Sequence, residues 1–564
     1  MLRVTLTAAL LVLLVTPAAA DNWQMKQRDM WNTGRADFSP MPDDTIFDTF
    51  LWQTPSQGVF KAISMSFFDG AGPGGTDIVT GLTSGWSELD GIQAFDRHTG
   101  APLWSGPIPD VDPSIYNSTV GFSNDGSVLY VMDRGWDVGH VYGMYSALGP
   151  AGGIWDNSGD PDSRHLCRAS PTIGPGGRIF GHPFKDRPYA GTDDPGVAIT
   201  ETWGAADNWT GPIYSDPALY LDGGTLKVIA AGSGSWIVCY DGNVNPGTQL
   251  WAVSVAIGTN SSPTIDPANG NIYVALVPDA GGSIYVAGVT KDGADLWDQT
   301  SKLVYEFIDG TTSRQYLPAP GCLSHDSSTF YFQSGGWDQY DGKLYAINTA
   351  DGTVKWSFDT AAYGGDYNFY MSAPIVTPNG VIIVGDNFDT YYAILDGGQG
   401  NPALLDTIAS GGRSLACASA TMDSDGKMYL PLYTKHLGGL GGDGTDKLLF
   451  ACFQLSAATI PGDVDGNGVV DGLDLTAVLS AWETTPGNPL WNENADLDDN
   501  NVVDGLDLTE VISNWTTAAA AAPSTGPEAT ILGSGDPDKP GARRANVHKG
   551  RGNGPKSSGN VRRK

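Results

Sequence analysis

The chain has few cysteines, and none of them lies in a metal or haem motif. Five cysteines are spread over 564 residues, with no CxxC pair, no CxxCH sequence and no two adjacent cysteines. This spacing argues against a zinc site and against attached haem. Cys417 and Cys452 lie in the last repeat and could pair, and the odd total leaves at least one thiol free as a small buried apolar group.

Sequence motifs of hydrolytic and metal-dependent catalysis are also missing. The seven histidines are scattered without an HExxH sequence, and no GxSxG sequence occurs. Carboxylate pairs such as those of glycoside hydrolases stay open, because they need only proximity in space. The formal net charge of −32 argues against a nucleic-acid partner.

Apolar runs long enough to suggest a targeting segment are confined to the first twenty residues. The sequence MLRVTLTAALLVLLVTPAAA has a basic start at Arg3, a short apolar run and a small-residue cleavage site ending at Ala20. This pattern predicts a signal peptide over residues 1–20, a mature chain beginning near Asp21, and a secreted protein with no transmembrane segment after cleavage. The alternative is a membrane anchor, against which the short run and Pro17 argue.

Glycine and tryptophan are abundant, and they recur at regular intervals. The stretches GIQAFDRHTGAPLW (91–104) and KLYAINTADGTVKW (343–356) share the form A-x-[DN]-x-x-x-G-x-x-x-W. This form predicts a hairpin in which Asp or Asn bonds the turn, glycine takes a positive φ, and tryptophan packs on the neighbouring repeat. The tryptophans that end such units are about fifty residues apart, at Trp104, Trp155, Trp203, Trp251, Trp297 and Trp356.

A second hairpin pattern precedes the first in each repeat. It is clearest at residues 169–183, 261–275, 372–386 and 418–432. Two hairpins give four strands per repeat, which predicts the blades of a β-propeller, eight in number with seven as the alternative. The last two units are expected to end near Leu404 and Leu455. The serines that open these hairpins are expected to line the central channel: Ser170, Ser262, Ser372 and Ser419.

These repeats resemble the blades of pyrroloquinoline quinone (PQQ)-type, or quinoprotein-like, propellers. The likeness covers roughly residues 22–456, and Trp23, Thr33 and Gly34 match the usual start of such chains. The resemblance implies an all-β, quinoprotein-like β-propeller over residues 21–456. In the dehydrogenases of that family an adjacent Cys-Cys disulfide lies against the quinone, and this chain has no such pair.

The resemblance therefore favours a binding or scaffold propeller, with a polysaccharide or a protein as its ligand. The alternatives are a PQQ-dependent dehydrogenase, with PQQ as cofactor, and a glycan-active enzyme. No residue of this chain can be assigned as a quinone ligand or as a catalytic group from the sequence.

An acidic sequence occurs in two nearly identical copies near the C-terminus, at residues 462–482 and 495–515. Both copies place oxygen-bearing residues at loop positions one, three, five, nine and twelve, and a backbone carbonyl at seven, which is the spacing of an EF-hand calcium loop. Position twelve is Asp where Glu is usual. The predicted ligands of two Ca²⁺ ions are Asp463, Asp465, Asn467, Val469, Asp471, Asp474, Asp496, Asp498, Asn500, Val502, Asp504 and Asp507.

The surrounding residues support a helical, cation-binding module. Residues 461–517 contain twelve acidic residues and no Lys or Arg, a charge that bound cations would neutralise. Apolar residues follow each loop at helical spacing, and these two stripes are expected to bury each other. They are Leu475, Val478, Leu479 and Trp482 in the first copy, and Leu508, Val511, Ile512 and Trp515 in the second.

This duplicated loop-helix unit resembles type I dockerins and predicts a small all-α module over residues 457–517. Dockerins bind cohesin domains and attach secreted proteins, often polysaccharide-degrading enzymes, to an extracellular scaffold. The resemblance implies a cohesin-like extracellular partner, an extracellular or cell-surface location and a link to polysaccharide breakdown. The implied partner-binding residues are Gly472, Leu473, Ser480, Gly505, Leu506 and Ser513.

Two features of the module leave alternatives open. Family members commonly carry hydroxyl-bearing residues where this chain has Gly-Leu, so the identity of the partner stays open. Because the two copies are nearly identical, either could dock after a half-turn of the module. The alternative is a calcium module that only caps the propeller.

The last segment differs in charge from the rest of the chain. From Ser524 onward there are nine Lys or Arg and three acidic residues, in a sequence rich in Gly, Pro and Ser. This composition predicts a disordered basic tail over residues 518–564. A solvated extension is the simpler interpretation, and a tether to acidic polymers or to the chain's own acidic modules is the alternative.

Overall fold

The structure of the chain is a computed structural model. It describes residues 22, 24, 28–54, 61–62, 64–84, 91–107, 119–132, 141–156, 170–182, 188–205, 215–232, 235–255, 261–276, 283–305, 320–336, 339–359, 372–385, 390–398, 402–409, 419–433, 448–456, 462–464, 470, 472–498 and 500–515. The predicted signal peptide, Trp23 and the predicted basic tail lie outside these residues.

Eight antiparallel sheets form the blades of the propeller, so the predicted eight-bladed fold is confirmed. The strands of blades 1 to 4 are β2 (Lys61–Ala62), β3 (Ser66–Phe68), β4 (Ile78–Ser84), β5 (Gly91–Asp96) and β6 (Pro102–Pro107); β7 (Gly121–Phe122), β8 (Val128–Met132), β9 (Val141–Tyr145) and β10 (Ile154–Asp156); β11 (Thr172–Ile173), β12 (Ile179–Gly181), β13 (Tyr189–Asp194) and β14 (Ala198–Gly204); β15 (Ala218–Asp222), β16 (Thr225–Gly232), β17 (Trp236–Asp241) and β18 (Gln249–Ser254).

The remaining blades repeat the same order, from a short inner strand to an outer strand. The strands of blades 5 to 8 are β19 (Thr264–Ile265), β20 (Ile272–Leu276), β21 (Ile284–Val289) and β22 (Ser301–Tyr305); β23 (Cys322–Leu323), β24 (Thr329–Gly336), β25 (Gln339–Asn348) and β26 (Val354–Asp359); β27 (Ile375–Val376), β28 (Val381–Gly385), β29 (Thr390–Leu395) and β30 (Ala403–Ala409); β31 (Thr421–Met422), β32 (Lys427–Tyr433) and β33 (Leu448–Gln454), with β1 (Phe50–Gln53) as the outer strand of blade 8.

The ring is closed by the first strand of the chain. β1 pairs antiparallel with β33, and Trp52 lies opposite Cys452. The repeat pattern predicts that the eighth unit ends near Leu455. Three of its four strands, β31, β32 and β33, do lie just before that residue. The fourth comes from the N-terminal side of the chain, because the outer edge of the last blade would otherwise be left unpaired.

A tryptophan on the outer strand, or just before it in the case of Trp297, joins most blades to the next one, as predicted. Each indole Nε1–H donates to the turn of the following blade, either to a backbone carbonyl or to an Asp carboxylate. The bonds run from Trp52 to Arg97 O (3.1 Å), Trp104 to Ser146 O (2.8 Å), Trp155 to Asp193 Oδ1 (2.6 Å), Trp203 to Asp241 O (3.1 Å), Trp251 to Lys291 O (3.0 Å), Trp297 to Thr349 O (2.9 Å) and Trp356 to Asp396 Oδ1 (2.8 Å).

The glycine of the following turn is required by the same contact. Gly352 has a φ of 74°, and a Cβ atom there would lie 2.7 Å from the ring of Trp297. Gly100 has a φ of 68°, and its Cβ would lie 2.5 Å from Trp52. Glycine therefore supplies both the left-handed turn and the room for the indole. Blade 7 has Leu404 and Leu405 where the other blades carry tryptophan.

The inner serines are buried between blades. Thr119 N–H donates to Ser170 Oγ at 2.8 Å, and Asp216 N–H donates to Ser262 Oγ at 2.8 Å. Ser419 repeats this arrangement by accepting from the Ala373 backbone at 2.9 Å. These hydroxyls satisfy backbone donors of the preceding blade, which gives them a structural role.

The described residues of the N-terminal segment (22, 24 and 28–41), which we call the N-terminal belt, follow the ring across blades 2, 4, 5, 6 and 7. Its carbonyls accept hydrogen bonds from the second residue of the inner strand in five different blades. The donor and acceptor pairs are Phe122 with Gln24 (2.9 Å), Leu219 with Met30 (2.8 Å), Ile265 with Trp31 (2.8 Å), Leu323 with Thr33 (2.9 Å) and Val376 with Gly34 (2.9 Å). The belt thereby pairs inner-strand N–H groups that the blades themselves leave open.

The described cysteines do not form a disulfide. Cys239, Cys322 and Cys452 are free, buried thiols, and burial raises the pKa of the Cys239 thiol to about 12. The suggested pairing of Cys452 with Cys417 is therefore wrong. Cys452 points into the core of blade 8, which is packed with apolar side chains. Cys417 and Cys167 lie outside the described residues.

The C-terminal module contains two helices, α1 (Gly472–Ser480) and α2 (Gly505–Asn514). Its core is built from small apolar side chains of both halves. They are Val464, Val470, Val478, Ala481, Ala495, Val503 and Val511. The all-α character predicted for this region is confirmed.

The expected burial of the two apolar stripes is only half correct. Val478 and Val511 are buried, whereas Leu479 and Ile512 are exposed. The buried side of each helix is rotated toward Asp474 and Asp507, which are fully buried. Both carboxylates turn inward to bond loop N–H groups, and this rotation leaves part of each stripe on the surface. Trp482 and Trp515 are also exposed.

The tryptophan contact between blades can be tested by substitution. We expect Trp203→Ala to destabilise the propeller by about 3–5 kcal/mol, because it removes a buried indole and leaves a cavity. Trp203 packs against Phe180 and Tyr240 at ring-centroid distances of 5.9 and 6.4 Å. The measurement is guanidinium denaturation followed by circular dichroism. Trp236→Ala is the control, because Trp236 is 45% exposed, and equal effects of the two substitutions would contradict the interlock.

Candidate metal centre and docking face

Three carboxylates of the second acidic loop converge. Ligand oxygens of Asp496, Asp498 and Asp507 lie within 4.8 Å of one another. Asp507 is fully buried and Asp496 nearly so, while Asp498 is exposed. Three negative groups at this spacing repel unless a cation lies among them. An oxygen-only set at the predicted loop positions suits a hard divalent cation such as Ca²⁺.

Asp507 is held in place by backbone donors from its own loop. Its Oδ1 accepts from Leu497 N–H at 2.6 Å, and its Oδ2 accepts from Asp504 N–H at 2.7 Å. Asp507 is the third residue of α2, so the first turn of the helix and the loop share one carboxylate. Charge-assisted bonds of this kind fix the orientation of the side chain.

The middle of the loop is bent around Asp496. Its two oxygens accept from Asn500 N–H at 3.1 Å and from Asn501 N–H at 2.8 Å. Asn501, at loop position six, has a φ of 67°, which is the left-handed backbone that Asn adopts more readily than most residues. Asn500 donates from Nδ2 to Asp498 Oδ2 at 2.9 Å, and its own Oδ1 accepts from Val502 N–H at 2.8 Å.

Asp504 has a different contact from the converging carboxylates. It is the N-cap of α2, and its Oδ1 accepts from Leu506 N–H at 2.8 Å. Together with Asp507 it forms a reciprocal capping box at the start of the helix. Loop position nine often reaches a calcium ion through a water molecule, so the predicted ligand role of Asp504 stays a prediction.

The first loop repeats the anchoring bond of the second. Asp474 is fully buried, and its Oδ1 accepts from Val464 N–H at 2.7 Å, as Asp507 accepts from Leu497. Asp463 is part-buried beside it. The other predicted ligands of this loop lie outside the described residues: Asp465, Asn467, Val469 and Asp471.

Backbone contacts tie the two halves into one module. Glu483 N–H donates to Val503 O at 2.9 Å, and Val503 N–H donates to Thr484 O at 3.1 Å. Gly462 lies against α2, where a Cβ atom would approach the Val511 Cα to 3.0 Å. The conformation of the second loop is therefore linked to the position of α1, because the residues that follow α1 bond Val503.

All six predicted partner-binding residues are exposed: Gly472, Leu473, Ser480, Gly505, Leu506 and Ser513. Leu473 and Leu506 are each 61% exposed. The sequence reasoning did not include two exposed neighbours on the same helices, namely Thr476 and Thr509. Their spacing of three residues from Leu473 and Leu506 could have indicated the threonines, because residues three apart lie on the same side of a helix.

Comparison with known proteins identifies the class of the C-terminal module. Residues 461–514 match the family model of the dockerin type I domain. Dockerin domains bind cohesins and typically bind calcium. No curated protein sequence matches the chain.

Comparison with solved structures concerns the propeller. The chain is similar to the quinohemoprotein alcohol dehydrogenase from Comamonas testosteroni, with 13% identity and a TM-score of 0.50, over 78% of this chain and 81% of that one. The quinohemoprotein alcohol dehydrogenase ADHIIG from Pseudomonas putida HK5 has 12% identity and a TM-score of 0.49, over 78% and 81%. BamB from Moraxella catarrhalis has 15% identity and a TM-score of 0.41, over 72% and 95%. At 13% identity, the likeness to the Comamonas testosteroni structure shows a shared fold and nothing more.

Two absences can be stated for the part of the chain that the structure describes. Within it, no helix is long and apolar enough to cross a membrane. In that same part, the group around Asp496 is the one place where three His, Cys, Asp or Glu side chains converge closely enough for a metal ion.

The converging carboxylates predict a specific loss on substitution. We expect Asp507→Asn to weaken calcium binding at the second loop by about tenfold or more, because it removes one full charge from the site. Isothermal titration of the full chain with calcium is the measurement. Glu510→Gln is the matched control, since Glu510 lies on the exposed side of α2 and outside the cluster. Equal calcium affinity in the Asp507→Asn variant and the control would contradict the assignment.

Proposed function

We propose that this protein is secreted and acts as a calcium-loaded attachment protein. Its dockerin module binds a cohesin-type partner outside the cell, and its propeller serves as a binding or scaffold domain. The observation that carries the proposal is the convergence of Asp496, Asp498 and Asp507 within a segment that matches the dockerin type I domain. The predicted signal peptide supports the extracellular location.

Calcium has an ordering role in this proposal. Asp496, Asp498 and Asp507 would hold one ion in the second loop, and the equivalent residues from Asp463 to Asp474 would hold the other. The ions neutralise carboxylates that would otherwise repel. Asp507 anchors both the loop and the first turn of α2, so loading the loop stabilises the helix that carries Leu506 and Ser513.

The two halves offer equivalent surfaces to the partner. α1 and α2 carry the same exposed Gly-Leu start and the same exposed serine, and both are anchored by a buried Asp. A partner that recognises one helix can therefore recognise the other after a half-turn of the module. The association with polysaccharide breakdown rests on the dockerin match alone.

The alternative function is an enzymatic activity of the propeller. Its fold likeness to quinohemoprotein alcohol dehydrogenases motivates a PQQ-dependent dehydrogenase as the alternative function. Because fold alone does not carry activity, the alternative needs its own test. A quinone absorbance band after incubation with PQQ and calcium, together with dye-linked oxidation of alcohols or sugars, would support it.

Attachment through the module can be tested with a truncated chain. We expect the full chain to bind purified cohesin domains of the source organism in calcium, and to lose binding in chelator. A chain ending at Ala458, which lacks the module, should not bind under either condition. Surface plasmon resonance is the measurement. Binding of both chains regardless of calcium would locate the attachment in the propeller and overturn the proposal.

The same pair of chains separates docking from a capping role. A docking module on an independent joint leaves the melting temperature of the propeller unchanged when it is removed. Propeller melting by calorimetry in the presence of calcium is therefore the second measurement. A lower melting temperature in the truncated chain would favour the structural cap.

A further inference from the structure

Each helix of the module exposes an apolar strip that the core does not use. We call the two copies the docking faces: Gly472, Leu473, Thr476, Leu479 and Ser480 on α1, and Gly505, Leu506, Thr509, Ile512 and Ser513 on α2. Leu473 and Leu506 are both 61% exposed, and Leu479 and Ile512 are also exposed. Large apolar side chains are thus exposed in equivalent positions of both helices.

The threonines of the docking faces add little polarity to them. Thr476 Oγ1 donates to Gly472 O at 2.6 Å, and Thr509 Oγ1 donates to Gly505 O at 2.6 Å. Both hydroxyls bond the carbonyl of their own helix four residues earlier. Their engagement with the backbone leaves the serines as the remaining hydroxyl-bearing side chains of each face.

The glycines that begin both helices are not required by the fold. A Cβ atom at Gly472 or at Gly505 would meet nothing within 4 Å, and neither residue has a left-handed backbone. Glycine inside a helix is less favourable than alanine, so the fold alone would accept a larger residue. A glycine at the exposed start of a helix has a reason when the backbone of another molecule comes close to it, because glycine has no side chain in the way. In this structure the room beside both glycines is on the outside of the module.

Charge defines the surroundings of the docking faces. Residues 461–517 carry twelve acidic residues and no Lys or Arg. Two copies of the module would repel each other at close range, which argues against self-association through these faces. A partner with basic residues around its contact surface would be attracted instead.

We propose that the partner of this module presents an apolar patch bordered by Lys or Arg, and that its main chain lies against Gly472 or Gly505. This inference rests on the proposed docking function and names the chemistry of the partner surface. Leu473 with Leu479, or Leu506 with Ile512, fills the apolar patch. Two Ca²⁺ ions offset four of the twelve negative charges of residues 461–517, and the remaining negative charge attracts the basic border. Recognition then uses apolar burial and charge, where a hydroxyl-bearing face would use hydrogen bonds.

The first experiment changes the leucines of both faces in the full chain. Leu473→Ser with Leu506→Ser should weaken calcium-dependent binding to a purified cohesin domain of the source organism by about tenfold or more. Leu490→Ser is the matched control, because Leu490 is 67% exposed and lies between the two helices, outside the docking faces. Isothermal titration at low and high salt is the measurement, and binding should weaken as salt rises.

The second experiment uses the glycines, for which folding and docking predict opposite effects. Gly472→Ala with Gly505→Ala should raise the melting temperature of the calcium-loaded module, because alanine is the better helix former. The same variant should bind the cohesin domain more weakly, because the methyl groups occupy the space of the partner backbone. A variant that is more stable and binds as tightly as the unchanged chain would overturn the close approach.

The outcomes separate this inference from the proposed function. Calcium-dependent binding that survives both double substitutions would leave docking intact and overturn the apolar surface. Absence of calcium-dependent binding in the unchanged chain would overturn the proposed function and this inference with it. A calcium-dependent dimer in ultracentrifugation that is abolished by the leucine substitutions would make a second copy the occupant. Tighter cohesin binding after deletion of residues 518–564 would make the basic tail the occupant.

Discussion

The propeller depends on one contact, the hydrogen bond from the indole N–H of a tryptophan at the outer edge of a blade to the turn of the next blade. A single four-stranded blade buries too little surface to be stable alone, so its faces must be covered by neighbours. The tryptophan supplies both apolar area and a directed hydrogen bond at each junction. Trp297 and Gly352 show that the turn has to be glycine for the ring to enter. The recurring positions of the A-x-[DN]-x-x-x-G-x-x-x-W repeat are thus the residues that form the interface between blades.

A ring of repeats also needs a means of closing. β1 supplies the outer strand of blade 8, and the N-terminal belt pairs with inner strands of five blades. Both devices come from the first residues of the described chain. They convert an array with free edges into a closed ring, and they satisfy backbone groups that the repeats leave unpaired. The propeller therefore closes only when the N-terminal segment has joined blades that are far apart in sequence.

The C-terminal module is organised by buried carboxylates rather than by its apolar stripes. Asp474 and Asp507 each turn into a loop and accept N–H bonds there. This places a charged group on the inner side of each helix and shifts Leu479 and Ile512 outward. The same geometry brings three carboxylates together and leaves apolar side chains exposed. The proposed metal binding and the proposed docking would both follow from one rotation of the helices.

The sequence by itself determined the repeat, the packing of each tryptophan on the neighbouring repeat and the spacing of the calcium loops, because these features depend on contacts within a unit or between neighbouring units. Blade number and the left-handed residue Asn501 could be predicted on the same grounds. The tertiary structure alone decided that β1 closes the ring, that Cys452 stays a free thiol, and that Leu479 faces outward. Closure by β1 and the free Cys452 depend on pairings between segments that are distant in sequence. The position of Leu479 depends on which of two competing side chains the small core of the module buries. A local sequence pattern contains neither kind of information.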